Sequence, residues 1–358
     1  MNAKRILLAS VLLAVLALVA CTGATTPAPV ATTVPPTSAP TTAPAATAAP
    51  SGGAGVFKVA VILPSAANDL SFSQSMYDAL MAEQTKLGKD KFQFVYSENM
   101  FNVPDAAAAI RDYASKGYNL IIAHGSQYGA SLAEIAPDFP KTAFAWGTAV
   151  DTYESKGIHN IFSYTVASDQ GGYVEGVIAA KLSKSGVVGF IGPIPAGDGK
   201  LTTDGFQAGA KATNPNIQVR VTYTQSFSDV TLTSQAAQTM IASGADVLSG
   251  TSQSVVGAIS VCKDKNVLWF GNDADETALA PKVVVGNQIY DWTIALDDMM
   301  TQIKGGTMGG KVYTMTLKNG GLKMTYNPAY TLPAEVKALA DKTVQGLIDG
   351  SIKTGVAQ

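Results

Sequence analysis

The sequence predicts an α/β protein made of two doubly wound parallel-sheet lobes. Three observations carry that expectation. From residue 56 onward, short β-branched runs alternate with helical segments of roughly 10–15 residues, the pattern of parallel strands joined by crossover helices. The alternation runs through two successive blocks, which together suggest two sheets of about five strands each. The roughly 300 residues involved suffice for two domains of ordinary size.

The first block opens with the apolar run 57–63 (FKVAVIL), read as a buried strand. Residues 73–87 carry Met76, Leu80 and Leu87 near helical spacing and stop at Gly88, a natural C-terminal signal. Strand 92–96 follows, then helix 104–116 with Pro104 at its start and Gly117 after it. Strand 119–123, helix 130–135 and strand 143–146 complete the block. The second block reads as strands 161–166, 187–191, 219–223, 246–248, 267–270 and 283–285. Helices 172–184, 203–213, 234–243, 255–263 and 292–303 lie among and after them. Strands 312–317 and 321–326 and helix 334–347 finish the chain. In such sheets ligands bind beyond the carboxyl ends of the strands, so two facing lobes place a ligand between them.

The N-terminal segment reads differently. Lys4 and Arg5 precede an apolar run 6–20, too short to favour a membrane span, that ends at Leu18-Val19-Ala20-Cys21. This pattern looks like a bacterial lipobox, with Cys21 as the lipidated residue of a signal segment 1–21. Residues 22–55 are almost entirely Thr, Pro, Ala, Val, Ser and Gly. Such a composition cannot bury enough apolar surface to offset ordering entropy. It predicts a tether that reaches at most roughly 100 Å.

Composition excludes several classes. A net charge of −2 with no basic stripe argues against a nucleic-acid partner. The two histidines, His124 and His159, have no metal-ligand spacing, so no metal site and no cofactor are expected. Cys262 is one of two cysteines and reads as a small buried core residue. Residues 192–200 glance at a phosphate loop, but Ile194 stands where the motif needs glycine and Leu201 where it needs Ser or Thr. No nucleophile-elbow pattern supports an enzyme.

The loop Asp69-Leu70-Ser71-Phe72-Ser73-Gln74 resembles the D-K-S-F-N-Q loop of the basic membrane lipoprotein family, the nucleoside-binding lipoproteins of ABC importers. Several further stretches resemble that family in order. They are Ser163-Tyr164, Gly171-Gly172-Tyr173-Val174-Glu175-Gly176, Val188-Gly189-Phe190-Ile191-Gly192, Gly205-Phe206-Gln207-Ala208-Gly209, Ser226-Phe227-Ser228-Asp229 and Gly271-Asn272-Asp273-Ala274-Asp275. The resemblance implies the type I periplasmic-binding-protein fold, with a three-crossover hinge near 163–166, 271–274 and 305–311. Lobe 1 is then 56–163 plus 274–305, and lobe 2 is 164–273 plus 306–358. It also implies a monomeric solute-binding lipoprotein, lipid-anchored on the extracytoplasmic face. Such a protein passes a purine nucleoside to ABC permease and ATPase subunits. Two departures widen the ligand class. Ser73 stands where the family often has Asn, and Gln288 where it often has Lys. The pair Asp291-Trp292 resembles a branch that includes binders of free purine bases or other small solutes. A ligand sensor presenting to a membrane receptor is the alternative from another class.

Candidate site residues follow from position and resemblance together. Ser71 and Gln74 have capping-box spacing, which starts a helix without a ligand, but Phe72 in a polar loop is left for stacking. Asp69 either caps that helix or accepts ligand NH groups, and Ser73 and Gln74 lie in the same loop. The turn His124-Gly125-Ser126-Gln127 ends a strand and brings Ser126, with His124 open, toward the cleft. Trp146 is a cleft wall or a core residue, and so is Trp292. The resemblance makes Phe227 the second aromatic face and Asp273 the carboxylate for a vicinal diol, a pairing that suits two lone-pair acceptors. Asp275 reads as a cap near the hinge, and Gln288 occupies the position of the family's lysine.

Overall fold

The computed structural model describes residues 55–357. The expected signal segment with Cys21, and nearly all of the expected tether 22–55, lie outside the described residues. The first six-stranded sheet contains β1 (Phe57–Ile62), β2 (Phe92–Ser97), β3 (Leu120–Ala123), β4 (Ala143–Gly147), β5 (Ile161–Val166) and a late strand β11 (Val312–Met315). Its spatial order is β11-β5-β4-β3-β1-β2, and every pair is parallel. The second contains β6 (Val187–Gly192), β7 (Gln218–Tyr223), β8 (Val247–Gly250), β9 (Leu268–Asp273), β10 (Val284–Tyr290) and β12 (Leu322–Tyr326). Its order, β12-β10-β9-β8-β6-β7, repeats the first, except that β12 is antiparallel to β10.

Helices α1 (Phe72–Leu87), α2 (Val103–Ser115), α3 (Gly129–Ile135) and α8 (Thr293–Lys304) serve the first sheet. Helices α4 (Ser168–Leu182), α5 (Gly197–Thr213), α6 (Val230–Ala242), α7 (Val256–Lys265) and α9 (Ala334–Asp349) serve the second. The central strands are buried on both faces: β1 reads Val59, Ala60, Val61 and Ile62 without exposure, as a covered parallel strand requires. Cys262 is buried in the apolar cluster between α6, α7 and the second sheet, and burial pushes its thiol up to about 12.

Helices α4 and α5 run against each other at backbone distance. A Cβ on Gly172 would lie 2.3 Å from the Thr202 carbonyl oxygen, and one on Gly209 2.0 Å from that of Tyr173. The glycine-rich stretches in both helices therefore have a packing reason, because only glycine admits this approach.

The sheet pairings move two expected boundaries. β10 pairs in register with β9, so 274–290 stays in the second lobe rather than passing to the first. The chain crosses between sheets at 167, at 291–292 and at 316–321, between β5 and α4, β10 and α8, and β11 and β12. The crossover expected near 163–166 lies almost where it was placed. Those expected near 271–274 and 305–311 do not. An acidic strand end at Asp273 resembles a chain exit, and nothing in local periodicity shows that β10 continues to Tyr290.

Candidate functional site

A cavity of about 310 Å³ lies between the lobes, at the lower end of the size range of ligand pockets. Every segment lining it follows the carboxyl end of a strand. From the first lobe come Pro64 and Phe72 after β1, Phe101 after β2, Gly125 to Gln127 after β3, and Thr148 after β4. From the second come Pro193 to Gly199 after β6, Phe227 after β7, Thr251 to Gln253 after β8, and Asp273 at the end of β9. In both sheets the switch in strand order, β1 beside β3 and β6 beside β8, faces this space, where doubly wound folds bind ligands.

Backbone strain concentrates here. Leu70, Asn99, Thr148, Gln225 and Asp273 have φ of 55°, 59°, 53°, 59° and 71°. Each sits in a loop that rings the cavity or in its lining. Left-handed non-glycine residues carry a conformational cost and gather at functional sites.

The aromatic wall is built from behind. One face of Phe72 stacks on His124, with ring centroids 3.8 Å apart and planes 6° from parallel, and its edge meets Trp292. The opposite face is left to the cavity. His124 Nε2 donates to the Phe72 carbonyl oxygen at 2.9 Å, so Nδ1 accepts from the Tyr164 hydroxyl at 2.7 Å. Burial lowers the His124 pKa to about 3, which keeps the ring neutral and this tautomer in place. Trp292 is buried and donates through Nε1 to Ser75 Oγ at 2.8 Å. His124 and Trp292 therefore support the wall without forming it. Across the cleft Phe227 meets Phe101 with centroids 5.7 Å apart.

Two carboxylates reach the cavity from the second lobe. Asp273 Oδ2 accepts from Ser71 Oγ of the other lobe at 2.6 Å and from Thr251 Oγ1 at 3.1 Å. Burial, helped by the nearby Asp69 charge, pushes Asp273 up to about 6 against hydrogen bonds from Ser71, Thr251 and Tyr290. Asp198, in the first turn of α5, is pushed up to about 7 by burial and by the Asp273 charge, with a hydrogen bond from Thr165 opposing. Among the described residues lining the cavity none is Lys, Arg or His.

The other expected site residues do structural work nearby. Asp69 is the helix cap: its carboxylate accepts from the backbone NH groups of Ser71, Ser73 and Gln74 at 2.9, 3.2 and 3.0 Å. The expected capping box does not form, because Ser71 turns its hydroxyl to Asp273 and Gln74 Oε1 accepts from Leu70 N instead. Ser73 is buried, and its hydroxyl accepts from Ser65 N at 3.1 Å. Trp146 stacks on Tyr153 within the first lobe and donates to the Ser126 carbonyl, while Ser126 itself lines the cavity. Gln288 is buried beneath α4, where Nε2 donates to Asn272 Oδ1 at 2.5 Å. A Cβ on Gly171 would lie 2.1 Å from its Oε1, so the position where the resemblance leads us to expect lysine is a core amide. Asp275 accepts from Thr277 N and Asn287 Nδ2, both at 2.9 Å, in agreement with the cap reading.

Sequence reasoning thus brings Phe72, Ser126, Phe227 and Asp273 to the cavity, and misses Phe101, Gln127, Asp198 and the 251–253 turn. For Asp198 a signal was present. The stretch Ala196-Gly197-Asp198-Gly199 follows β6 directly, and the same topological rule that pointed to the other loops points to it.

Two doubly wound lobes with a ligand-sized cavity between their strand ends define a two-lobed solute-binding protein of the type I periplasmic fold. Solved structures agree. A solute-binding protein from Conexibacter woesei superposes with a TM-score of 0.69 at 24% identity, covering 83% of this chain and 98% of that one. One from Aeropyrum pernix gives 0.70 at 20%, covering 83% and 92%. The family model described as ABC transporter substrate-binding protein PnrA-like matches residues 56–354, and the chain belongs to that family, Bmp. A purine-binding protein of Brucella abortus is 28% identical over 276 residues, 77% of each chain. An ABC transporter nucleoside-binding protein of Lactococcus lactis is 28% identical over 306 residues, covering 80% of this chain and 85% of its own. The Bacillus subtilis transcriptional activator protein med is 28% identical over 299 residues, covering 83% and 88%.

Proposed function

We propose that this protein captures a purine nucleoside in the inter-lobe cavity and presents it to an ABC permease and its ATPase. On this reading it is an extracytoplasmic lipoprotein held to the membrane through Cys21. The observation that carries the ligand class is the combination of walls and floor. Phe72, Phe101 and Phe227 offer faces for a planar ring, Asp198 and Asp273 offer acceptors, and among the described residues no cation lines the space. A heteroaromatic ring bearing NH or OH donors matches that set, and a phosphorylated ligand does not. The relatives named for binding purines and nucleosides support the same class.

One observation favours a free base as a second reading. Asp273 already accepts from the hydroxyls of Ser71, Thr251 and Tyr290, which leaves its carboxylate little acceptor capacity for the diol of a ribose.

Calorimetry with adenosine, guanosine, inosine, adenine and AMP decides between them. Stacking contributes roughly 1–3 kcal/mol per base, so Phe72→Ala should weaken binding about ten-fold or more. Under the nucleoside reading Asp273→Ala costs a nucleoside more than the base. Adenine binding as tightly as adenosine, with Asp273→Ala silent, moves the protein to the free-base reading. No heat with any of the five removes the purine class. Detergent partitioning tests the anchor: the mature wild type goes to the detergent phase and Cys21→Ser does not.

A further inference from the structure

Two buried side-chain atoms in the cavity lining have no hydrogen-bond partner, and they are of opposite kind. Asp198 Oδ2, from the second lobe, is an acceptor, and Gln127 Nε2, from the first, is a donor. Buried polar groups in folded proteins are almost always satisfied, and an unsatisfied one in the lining of a ligand-sized cavity has room there for a partner that enters with a ligand. Each residue has one other side-chain hydrogen bond, Asp198 with Thr165 and Gln127 with Tyr128, and these leave Oδ2 and Nε2 unpaired. The Asp198 side chain holds no cap on α5, whose N-cap residue Ala196 contributes no side-chain bond. Gln127 sits in a short turn between β3 and α3 whose backbone is held by Gly125 and Tyr128.

We propose that Asp198 and Gln127 form a facing recognition pair: the ligand donates a hydrogen bond to Asp198, accepts one from Gln127, and carries no negative charge. This deepens the purine reading and rests on the cavity being the solute site. A ligand that meets both atoms bridges the two lobes, so the pair is satisfied only when both lobes engage the same molecule. Open lobes leave both atoms to water, and closed lobes without ligand leave both buried and unpaired. The cost of the empty closed state falls on these atoms, and the ligand removes it. The chemistry also sets specificity. Asp273, Tyr290 and Tyr164 interact electrostatically with Asp198, none of them cationic, and Lys200 on its own helix is paired with Asp204. An anionic group brought into this space meets carboxylates and no counter-charge, and like charges at close quarters cost several kcal/mol.

The test is calorimetry on wild type, Asp198→Asn and Gln127→Leu with adenosine, adenine, AMP and purine riboside, which lacks the 6-amino group. Wild type should bind adenosine at least about ten-fold more tightly than AMP. Asp198→Asn should weaken adenosine about ten-fold and narrow its gap to AMP, and Gln127→Leu should weaken adenosine several-fold. The Asp198→Asn penalty should vanish for whichever of purine riboside and adenine lacks the donor that Asp198 receives, as in a double-mutant cycle between protein and ligand. Thermal unfolding without ligand checks that both variants are folded, and the two substitutions lie in different lobes, so one suffices if the other fails. Tight adenosine binding unchanged by both variants overturns the pair while leaving the purine reading intact. Equal wild-type affinity for AMP and adenosine overturns the exclusion of anions without any variant. No binding of the four by wild type overturns the purine reading and the pair together.

Discussion

At the scale of single residues the cavity is defined by groups held in costly states. Asp273 is buried, left-handed and shared between lobes, and Asp198 is half-buried with its enclosed Oδ2 unpaired. Asp198 also makes a pH prediction. Its ordinary value is 3.8, and in the folded protein it is pushed up to about 7 by burial and the Asp273 charge. Between those values the folded state holds a proton that the unfolded chain releases. Its contribution to stability therefore falls as pH rises through this window and levels off above about 7. Asparagine has no proton to lose. Without ligand, the melting temperature of Asp198→Asn should gain on wild type between about pH 5 and about pH 8. A difference that stays constant across that range contradicts the raised value. Residue positions were legible in the sequence where chemistry and topology agreed, as for Phe72, an aromatic that lines the cavity from a polar loop after a strand. Roles were not legible where the partner is distant in the chain. Ser71 has the spacing of a cap, yet its hydroxyl serves Asp273, 202 positions away, and no local pattern encodes that choice.

At the scale of elements, nearly every strand and helix could be placed from apolar periodicity, because the central strands β1, β3, β6 and β8 are covered on both faces and read as short apolar runs. The misjudged ends have physical causes. α5 begins at Gly197, not near 203, because two glycines in its first turn read as loop while tertiary contact with α4 overrides their low propensity. β10 extends to Tyr290 because the amide nitrogens of Asn287 and Gln288, polar in sequence, find acceptors inside the fold on Asp275, Thr277 and Asn272. The α4–α5 contact offers a quantitative test. Gly172→Ala favours helix by roughly 1 kcal/mol in propensity. The added Cβ would stand 2.3 Å from the Thr202 carbonyl oxygen, which is backbone and cannot rotate away. Overpacking costs typically about 1–3 kcal/mol, so packing should win. Chemical denaturation should show a lower midpoint with an unchanged slope. A neutral or stabilised variant contradicts the close approach.

At the scale of the whole molecule, one strand order used twice puts two sets of loops opposite each other, and the late strands β11 and β12 bind each sheet to the chain's third crossing. The two-lobed plan was legible because alternation repeats. Which late strand joins which sheet was not, since that depends on pairing partners and not on local sequence. The central claim is that a purine ligand is held by both lobes at once, through loops at the carboxyl ends of both sheets. Hydrogen–deuterium exchange with and without saturating adenosine tests this most directly. The account predicts joint protection of the 69–74 and 125–127 loops in the first lobe and the 197–199, 225–229 and 251–253 segments in the second. Protection confined to one lobe, or adenosine binding that protects segments away from these loops, would contradict it.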